Sequence, residues 1–155
     1  MMKLVLFVED EYGNAEVLRL LLEAEGYRVV HAANGRDALA LLTGERPAVI
    51  LSDFMMPHMT GGELGQAVRA APALRDIPFV LLSGTQESVV RATFKDYDAF
   101  VAKPYSADSL LKLLAHLAAS GRPQPLLSAG DREERSEEMD FSLRQLLRGI
   151  EIPPD

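Results

Sequence analysis

Residues 49–61 read Val49-Ile-Leu-Ser-Asp53-Phe-Met-Met-Pro57-His-Met-Thr-Gly61 and decide the fold class. An apolar run ends in a single acid, Asp53, and a loop that contains Pro57 and Gly61 follows at once. A continuous apolar run is typical of a strand buried on both faces of a parallel sheet. Open parallel sheets present functional groups at the carboxyl ends of their strands. The stretch therefore predicts an α/β domain with Asp53 at one edge of its sheet.

Strand-like and helix-like segments alternate on both sides of this stretch. Predicted strands cover residues 3–8, 27–31, 48–52, 77–82 and 99–102, and predicted helices cover residues 14–25, 35–42, 61–70, 86–94 and 106–119. In the first helix we expect a buried face made of Val17, Leu18, Leu21 and Leu22. Five such alternations with short connections predict a parallel sheet that is covered by helices on both faces.

Composition excludes several classes of protein. The chain has 155 residues and no cysteine, which excludes a disulfide framework and a thiolate metal site. Its formal net charge of −7 disfavours nonspecific binding to nucleic acid or to anionic membranes. No apolar run approaches the roughly 20 residues that a membrane-spanning helix needs. We therefore expect a cytoplasmic protein without direct contact to nucleic acid or membrane.

The composition changes near residue 120. Residues 1–120 read as one domain, and 121–130, with two prolines and two glycines, read as a linker. Residues 131–155 form a charged tail with a helical apolar stripe of Met139, Leu143, Leu146, Leu147 and Ile150. This predicted helix packs back on its own domain, binds a partner or a second copy, or has no fixed structure. The sequence leaves these alternatives open.

Polar side chains follow four of the five predicted strands. Glu9 and Asp10 follow the first, Asp53 the third, Ser83 the fourth and Lys103 the fifth. Three acids at one edge of a sheet repel one another unless a cation neutralises them. Carboxylate oxygens favour a hard divalent ion, above all Mg²⁺. A lysine and a hydroxyl beside such an ion suit phosphoryl oxygens, and an aspartate can itself become an acyl phosphate.

Five motifs in this order and spacing resemble the receiver domain of two-component response regulators. The resemblance covers residues 3 to about 119, and the motifs are Val8-Glu9-Asp10-Glu11, Asp53-x-Met55-Met56-Pro57 with Gly61, Leu82-Ser83-Gly84, Phe100, and Lys103-Pro104. The resemblance implies a flavodoxin-like (βα)5 three-layer fold with strand order 2-1-3-4-5. The residues beyond 120 are too few for a conventional output domain, so we expect a stand-alone receiver with a C-terminal tail.

The resemblance assigns a role to each motif residue. It implies that Asp53 is the phosphoacceptor and that Mg²⁺ is bound by Asp53, by Asp10, by Glu9 directly or through water, and by the backbone carbonyl of Met55. It implies that the phosphoryl oxygens are held by Ser83 and Lys103, that the Lys103-Pro104 peptide is cis, and that Phe100 is an aromatic switch. The pair Asp96-Tyr97 stands where the family usually has Gly-Ala, and we expect Tyr97 to add aromatic surface to the face used for partners.

The implied function is signalling. A sensor histidine kinase or a histidine phosphotransfer protein would donate the phosphoryl group. The face made by the fourth helix, fifth strand and fifth helix would then bind a downstream protein target, and this face or the tail helix is a candidate homodimer contact. One alternative is a nonphosphorylated scaffold with the same fold. Another is a dehalogenase-like phosphatase, which needs an acid two residues after the nucleophile, where this chain has Met55. We therefore expect self-phosphorylation and autodephosphorylation but no enzymatic turnover.

Overall fold

Five parallel strands form the central sheet of the computed structural model, which describes residues 2–122. The strands are β1 (Leu4–Val8), β2 (Arg28–Ala32), β3 (Val49–Asp53), β4 (Phe79–Ser83) and β5 (Ala99–Ala102). Their order is β2-β1-β3-β4-β5 and each neighbouring pair is parallel, which confirms the predicted topology. Every residue of β1, β3 and β4 is buried, as the continuous apolar runs predict.

Helices cover both faces of this sheet. They are α1 (Tyr12–Ala24), α2 (Gly35–Leu42), α3 (Gly61–Ala70), α4 (Glu87–Arg91) and α5 (Ala107–Ser120). One core cluster joins the sheet to α1 and α5 through residues such as Leu18 and Leu113. A second cluster joins the opposite face to α2, α3 and α4 through residues such as Leu64 and Val90. The result is the three-layer arrangement predicted from the alternation of elements.

Side-chain caps mark where three helices begin. The Asn34 side chain accepts a hydrogen bond from the Asp37 backbone N–H before α2. Thr60 and Glu63 form a reciprocal capping box at α3, and the Ser106 side chain caps α5. Such caps each contribute about 1 kcal/mol by satisfying backbone N–H groups that have no partner within the helix. At the other end of α5, Gly121 has a φ of 70°, a conformation that favours glycine, and the helix ends there.

The buried face predicted for α1 is partly wrong. Leu18 and Leu22 are buried, but Val17 and Leu21 are 61% and 37% exposed. Ala15 completes the buried stripe instead, and it is only 3% exposed. The spacing of apolar residues fits two adjacent stripes of this helix, so the local pattern did not select the one that faces the sheet.

Helix α4 is shorter than predicted, because the prediction extended it over residues 86–94. The chain leaves the helix after Arg91, and the Phe94 ring packs edge-on against Phe79 with 5.5 Å between centroids. Phe94 is only 5% exposed, so its burial outweighs continuation of the helix. The bounds of the other elements either match the prediction or differ by one or two residues.

The predicted linker and tail together lie almost wholly outside the described residues. Of the linker 121–130 the structure describes only Gly121 and Arg122, and the tail helix predicted within residues 131–155 lies beyond them. Within residues 2–122, no helix is both long enough and apolar enough to cross a membrane.

Candidate functional site

The carboxyl ends of β1, β3, β4 and β5 bring the predicted site residues to one edge of the sheet. Asp53 is the last residue of β3 and pairs with Leu82, while Ser83 ends β4 opposite Ala102. Lys103 follows β5 directly, and its backbone N–H donates to the Ser83 carbonyl at 2.9 Å. The parallel register therefore gathers residues that are up to 94 positions apart in the sequence.

Three acids lie together at this edge. One carboxylate oxygen from each of Glu9, Asp10 and Asp53 lies within 4.8 Å of the other two. Glu9 is 2% and Asp53 is 6% exposed, whereas Asp10 is exposed. All three donors are hard oxygens and one side of the cluster faces solvent, so the donor set fits Mg²⁺. The predicted side-chain ligands are thus brought together.

Met55 lies two residues beyond Asp53, and its side chain is exposed. The predicted role of the Met55 backbone carbonyl as a ligand of Mg²⁺ stays a prediction.

Lys103 partly neutralises the two buried acids. Its Nζ lies 2.8 Å from Asp53 Oδ1 and 3.6 Å from Glu9 Oε2, and the Lys103-Pro104 peptide is cis as predicted. Burial raises the pKa of the Asp53 carboxyl, and the bond to Lys103 offsets this only in part. Burial, followed by repulsion from Asp53, raises the pKa of Glu9. Burial opposes the charge on Lys103, but its pairing with Asp53 and Glu9 outweighs burial and raises its pKa. One cation therefore faces three acids, which leaves an excess of negative charge suited to a divalent ion.

The Ser83 hydroxyl is engaged by its own loop. Ser83 Oγ accepts a hydrogen bond from the Thr85 backbone N–H at 2.8 Å and lies 3.4 Å from the Thr85 carbonyl. A hydroxyl held in this way must exchange its partners before it can donate to a phosphoryl group on Asp53. The side chain is therefore at the predicted edge of the sheet, with its hydroxyl committed to the loop that begins α4.

Phe100 is buried in β5, behind this edge. It is 4% exposed, and its ring lies 6.0 Å from that of Tyr97 with the planes inclined by 49°. The predicted aromatic switch is therefore packed inward in this structure, and Tyr97 lies against it.

The sequence interpretation missed two neighbours of the site. His31, which the sequence analysis did not place among the site residues, donates a ring N–H to the Glu9 backbone carbonyl at 2.6 Å and so fixes the chain that carries Glu9. Its place at the end of a predicted strand beside β1 was the available signal. Glu87 is 8% exposed and accepts a hydrogen bond from the Tyr97 hydroxyl, a pairing for which the sequence offers no periodic signal.

Residues 5–115 match the family model described as the response regulator receiver domain. The chain belongs to this family. Receiver domains act in two-component signalling, and the family match agrees with the strand order and with the site at the carboxyl edge of the sheet.

Relatives and solved structures agree with this assignment. The chain is 31% identical over 152 residues to the response regulator Rre1 of Synechocystis, covering 96% of this chain and 65% of Rre1. It thus spans just under two thirds of that relative's length. The signal receiver domain of a histidine kinase from Syntrophus aciditrophicus is 35% identical with a TM-score of 0.72, covering 82% of this chain and 98% of that one.

A further structural relative contains a metal ion. The receiver domain of the sensor histidine kinase PA1611 from Pseudomonas aeruginosa is 26% identical, with a TM-score of 0.71. The similarity covers 77% of this chain and all of that one, and the PA1611 structure has a magnesium ion coordinated in its active site cleft.

Proposed function

We propose that this chain is a phosphoacceptor receiver, which takes a phosphoryl group from a phosphohistidine donor onto Asp53. The observation that carries the proposal is the setting of Asp53 at the end of β3. Its carboxylate is 2.8 Å from the Lys103 ammonium and lies within a cluster of three acids. This combination provides a nucleophile, a cation for a phosphoryl oxygen and ligands for a metal.

The transfer exchanges one bond to phosphorus for another. An Asp53 carboxylate oxygen attacks the phosphorus, the P–N bond of the phosphohistidine breaks, and the imidazole leaves with its electron pair and takes up a proton. Lys103 is placed to hold one phosphoryl oxygen, since its ammonium already contacts Asp53. Ser83 donates its hydroxyl proton to another phosphoryl oxygen after releasing the Thr85 carbonyl.

Mg²⁺ fits the acid cluster, and the structurally similar PA1611 receiver holds this ion in its active site cleft. Glu9, Asp10, Asp53 and the backbone carbonyl of Met55 are the residues that would hold it. Bound there, Mg²⁺ supplies the positive charge that lets an anionic phosphoryl donor approach three carboxylates.

The partners in this proposal are a sensor histidine kinase or histidine phosphotransfer protein as donor and a downstream protein as target. The target would bind the face formed by α4, β5 and α5, and this face is also the proposed homodimer contact. The proposed location is the cytoplasm, where the protein that donates the phosphoryl group would be found.

The same geometry disfavours enzymatic turnover. A phosphatase with an aspartate nucleophile needs a second acid to protonate the leaving group. Met55 occupies the position two residues after Asp53 and offers no proton. The chain is therefore proposed to hold its phosphoryl group and not to hydrolyse phosphate esters, so a screen with such esters should show no catalytic release of inorganic phosphate.

The proposal is tested by incubating the protein with a small phosphoramidate donor and Mg²⁺ and measuring the intact mass. The wild type should gain one phosphoryl group, and removal of the metal by a chelator should abolish the gain. Asp53→Asn should gain none. Asp108→Asn is the matched control, because the Asp108 side chain is 80% exposed on α5 and is not one of the three clustered acids, and this variant should behave as the wild type. An unmodified wild type, or an equal gain in Asp53→Asn, would refute the proposal.

A further inference from the structure

A tyrosine and a buried glutamate join the two segments that flank α4. The Tyr97 hydroxyl, on the connection between α4 and β5, donates a hydrogen bond to the Glu87 carboxylate in the first turn of α4. Glu87 is only 8% exposed. A hydrogen bond to a buried carboxylate is stronger than one between neutral groups, and its loss is costly. The pair therefore fixes the start of α4 against the chain that enters β5.

The Tyr97 ring extends this contact into the core. It packs against Phe94 with 6.2 Å between centroids and against Phe100 with 6.0 Å. Since Phe100 belongs to β5, Tyr97 is held from the strand side by aromatic packing and from the helix side by its hydroxyl. Movement of the first turn of α4 away from β5 must break the hydroxyl bond while the ring remains packed.

Glu87 is connected to the phosphoacceptor site by a short loop. Only residues 84–86 separate Ser83, at the end of β4, from Glu87. Within this loop the Ser83 hydroxyl donates to the Thr85 carbonyl at 3.4 Å and accepts from the Thr85 backbone N–H at 2.8 Å. A phosphoryl oxygen on Asp53 can accept the Ser83 hydroxyl proton only in place of the Thr85 carbonyl, so the loop must rearrange when Ser83 turns to the phosphoryl oxygens. The rearrangement pulls on the turn that carries Glu87.

We propose that the Tyr97–Glu87 hydrogen bond is a latch that holds the start of α4 in its unphosphorylated position and opens when Asp53 carries a phosphoryl group. The inference rests on the proposed function and adds a chain-specific element to it. Tyr97 and Glu87 are positioning residues, because they act through the loop of Ser83 and do not touch the reacting atoms.

The latch makes a quantitative prediction by linkage. A phosphoryl group, or its mimic beryllofluoride, must open the latch to bind in full, so an intact latch lowers the apparent affinity. Tyr97→Phe removes the hydroxyl and keeps the ring against Phe94 and Phe100. This variant should bind beryllofluoride in the presence of Mg²⁺ about tenfold more tightly than the wild type, as expected for loss of one hydrogen bond to a charged group.

Two further variants give the experiment its resolution. Glu87→Gln keeps an acceptor for the phenol but removes the charge, so it should give a smaller gain in affinity, about threefold. Tyr27→Phe is the matched control, because it deletes the same hydroxyl from a ring packed beside α1 and α5 in the other core cluster. Its affinity should equal that of the wild type. Affinities are measured by calorimetry, together with amide hydrogen exchange over residues 87–91.

Exchange over α4 should be faster in Tyr97→Phe than in the wild type before ligand is added and equal in the two once beryllofluoride is bound. An unchanged or weaker affinity of Tyr97→Phe for beryllofluoride would overturn the latch. A fall in thermal stability without a gain in affinity would likewise overturn it, because a purely structural hydrogen bond gives that result. Beryllofluoride binding by the wild type with no effect of Tyr97→Phe would overturn the latch alone. A wild type that neither binds the mimic nor accepts a phosphoryl group would overturn the proposed function together with the latch.

Discussion

At the scale of single residues, Glu9 is a buried acid that is only partly compensated. It is 2% exposed, its carboxylate lies 3.6 Å from the Lys103 Nζ, and it accepts one backbone hydrogen bond from Glu11 at 3.2 Å. Asp53 has the shorter contact to the same lysine, at 2.8 Å. Burial and then repulsion from Asp53 raise the pKa of Glu9, so its ionised form costs folding free energy when no metal is bound.

This cost has a defined dependence on pH. A carboxyl whose pKa is higher in the folded than in the unfolded chain favours folding below its unfolded pKa, and this benefit is lost as the pH rises through the folded pKa. Without Mg²⁺, Glu9→Gln should therefore be more stable than the wild type by about 1 kcal/mol at pH 8. The gain should vanish near pH 4, where Glu9 of the folded wild type is protonated.

Urea unfolding at the two pH values measures this difference. Glu16→Gln is the control, since Glu16 is exposed on α1, and it should change stability at neither pH. A loss of stability in Glu9→Gln at the higher pH would show that the Lys103 contact outweighs burial and repulsion.

At the scale of secondary-structure elements, the start of α3 rests directly on the strand that carries Asp53. The Gly61 N–H donates to the Phe54 carbonyl at 2.7 Å. A Cβ atom at position 61 would lie 2.3 Å from the Asp53 carbonyl oxygen and 3.0 Å from Phe54 Cα. These neighbours are backbone atoms, which cannot rotate out of the way as a flexible side chain can. The helix approaches β3 this closely only because residue 61 is glycine.

Gly61→Ala should therefore destabilise the protein by about 2 kcal/mol, because the added methyl group forces α3 and the end of β3 apart. The same displacement moves Asp53 relative to Lys103, so phosphorylation by the small donor should also slow. Gly13→Ala is the matched control: Gly13 lies at the start of α1, and a Cβ there would meet nothing within 4 Å. Its expected effect is within about 0.5 kcal/mol of zero, with a gain favoured by helix propensity. Similar unfolding midpoints for the two variants would contradict the close approach.

The order of elements and most of the site follow from local sequence signals. Apolar runs ended by acids, by Ser83-Gly84 or by Lys103-Pro104 define four of the strands, and the strand-end rule alone brings Asp53, Asp10 and Lys103 together. The buried face predicted for α1 was partly wrong because Val17 and Leu21 have the same helical spacing as the residues that are buried. The predicted length of α4 was wrong because the end of the helix depends on the packing of the Phe94 ring beside Gly65 of α3. No local sequence pattern encodes this contact. The Tyr97–Glu87 hydrogen bond was not predicted from the sequence for the same reason.

At the scale of the whole domain, an ion-pair cluster joins several elements at the end of the sheet opposite the acids. Asp98 lies just before β5, and its side chain is 4% exposed. It accepts hydrogen bonds from Arg69 Nη2 of α3 and Arg122 Nε beyond α5, each at 2.9 Å, and from the Phe79 N–H of β4 at 2.8 Å. Arg122 also donates to the Arg75 carbonyl at 3.0 Å. The cluster thus ties the chain after α5 to α3 and to the starts of β4 and β5.

Asp98→Asn should remove more stability than any exposed ion pair contributes. An amide oxygen can still accept from one donor, but the NH₂ group then faces an arginine, and the buried Arg69 guanidinium keeps only the exposed Asp96 carboxylate, at 3.5 Å, as an anionic partner. Breaking a buried pair from one side costs about 3 kcal/mol, whereas an exposed pair contributes less than about 1 kcal/mol. Glu23→Gln is the control, since it neutralises the Arg19–Glu23 pair of α1, whose side chains are 47% and 43% exposed.

Urea unfolding should show a large loss of stability for Asp98→Asn and almost none for Glu23→Gln. The affinity for beryllofluoride, measured where both variants are folded, should stay at the wild-type value because the acids lie at the other end of the sheet. Equal small losses would mean that Asp96 and the backbone carbonyls are sufficient partners for Arg69 and Arg122. A changed affinity would mean that this cluster is coupled to Asp53 through β5.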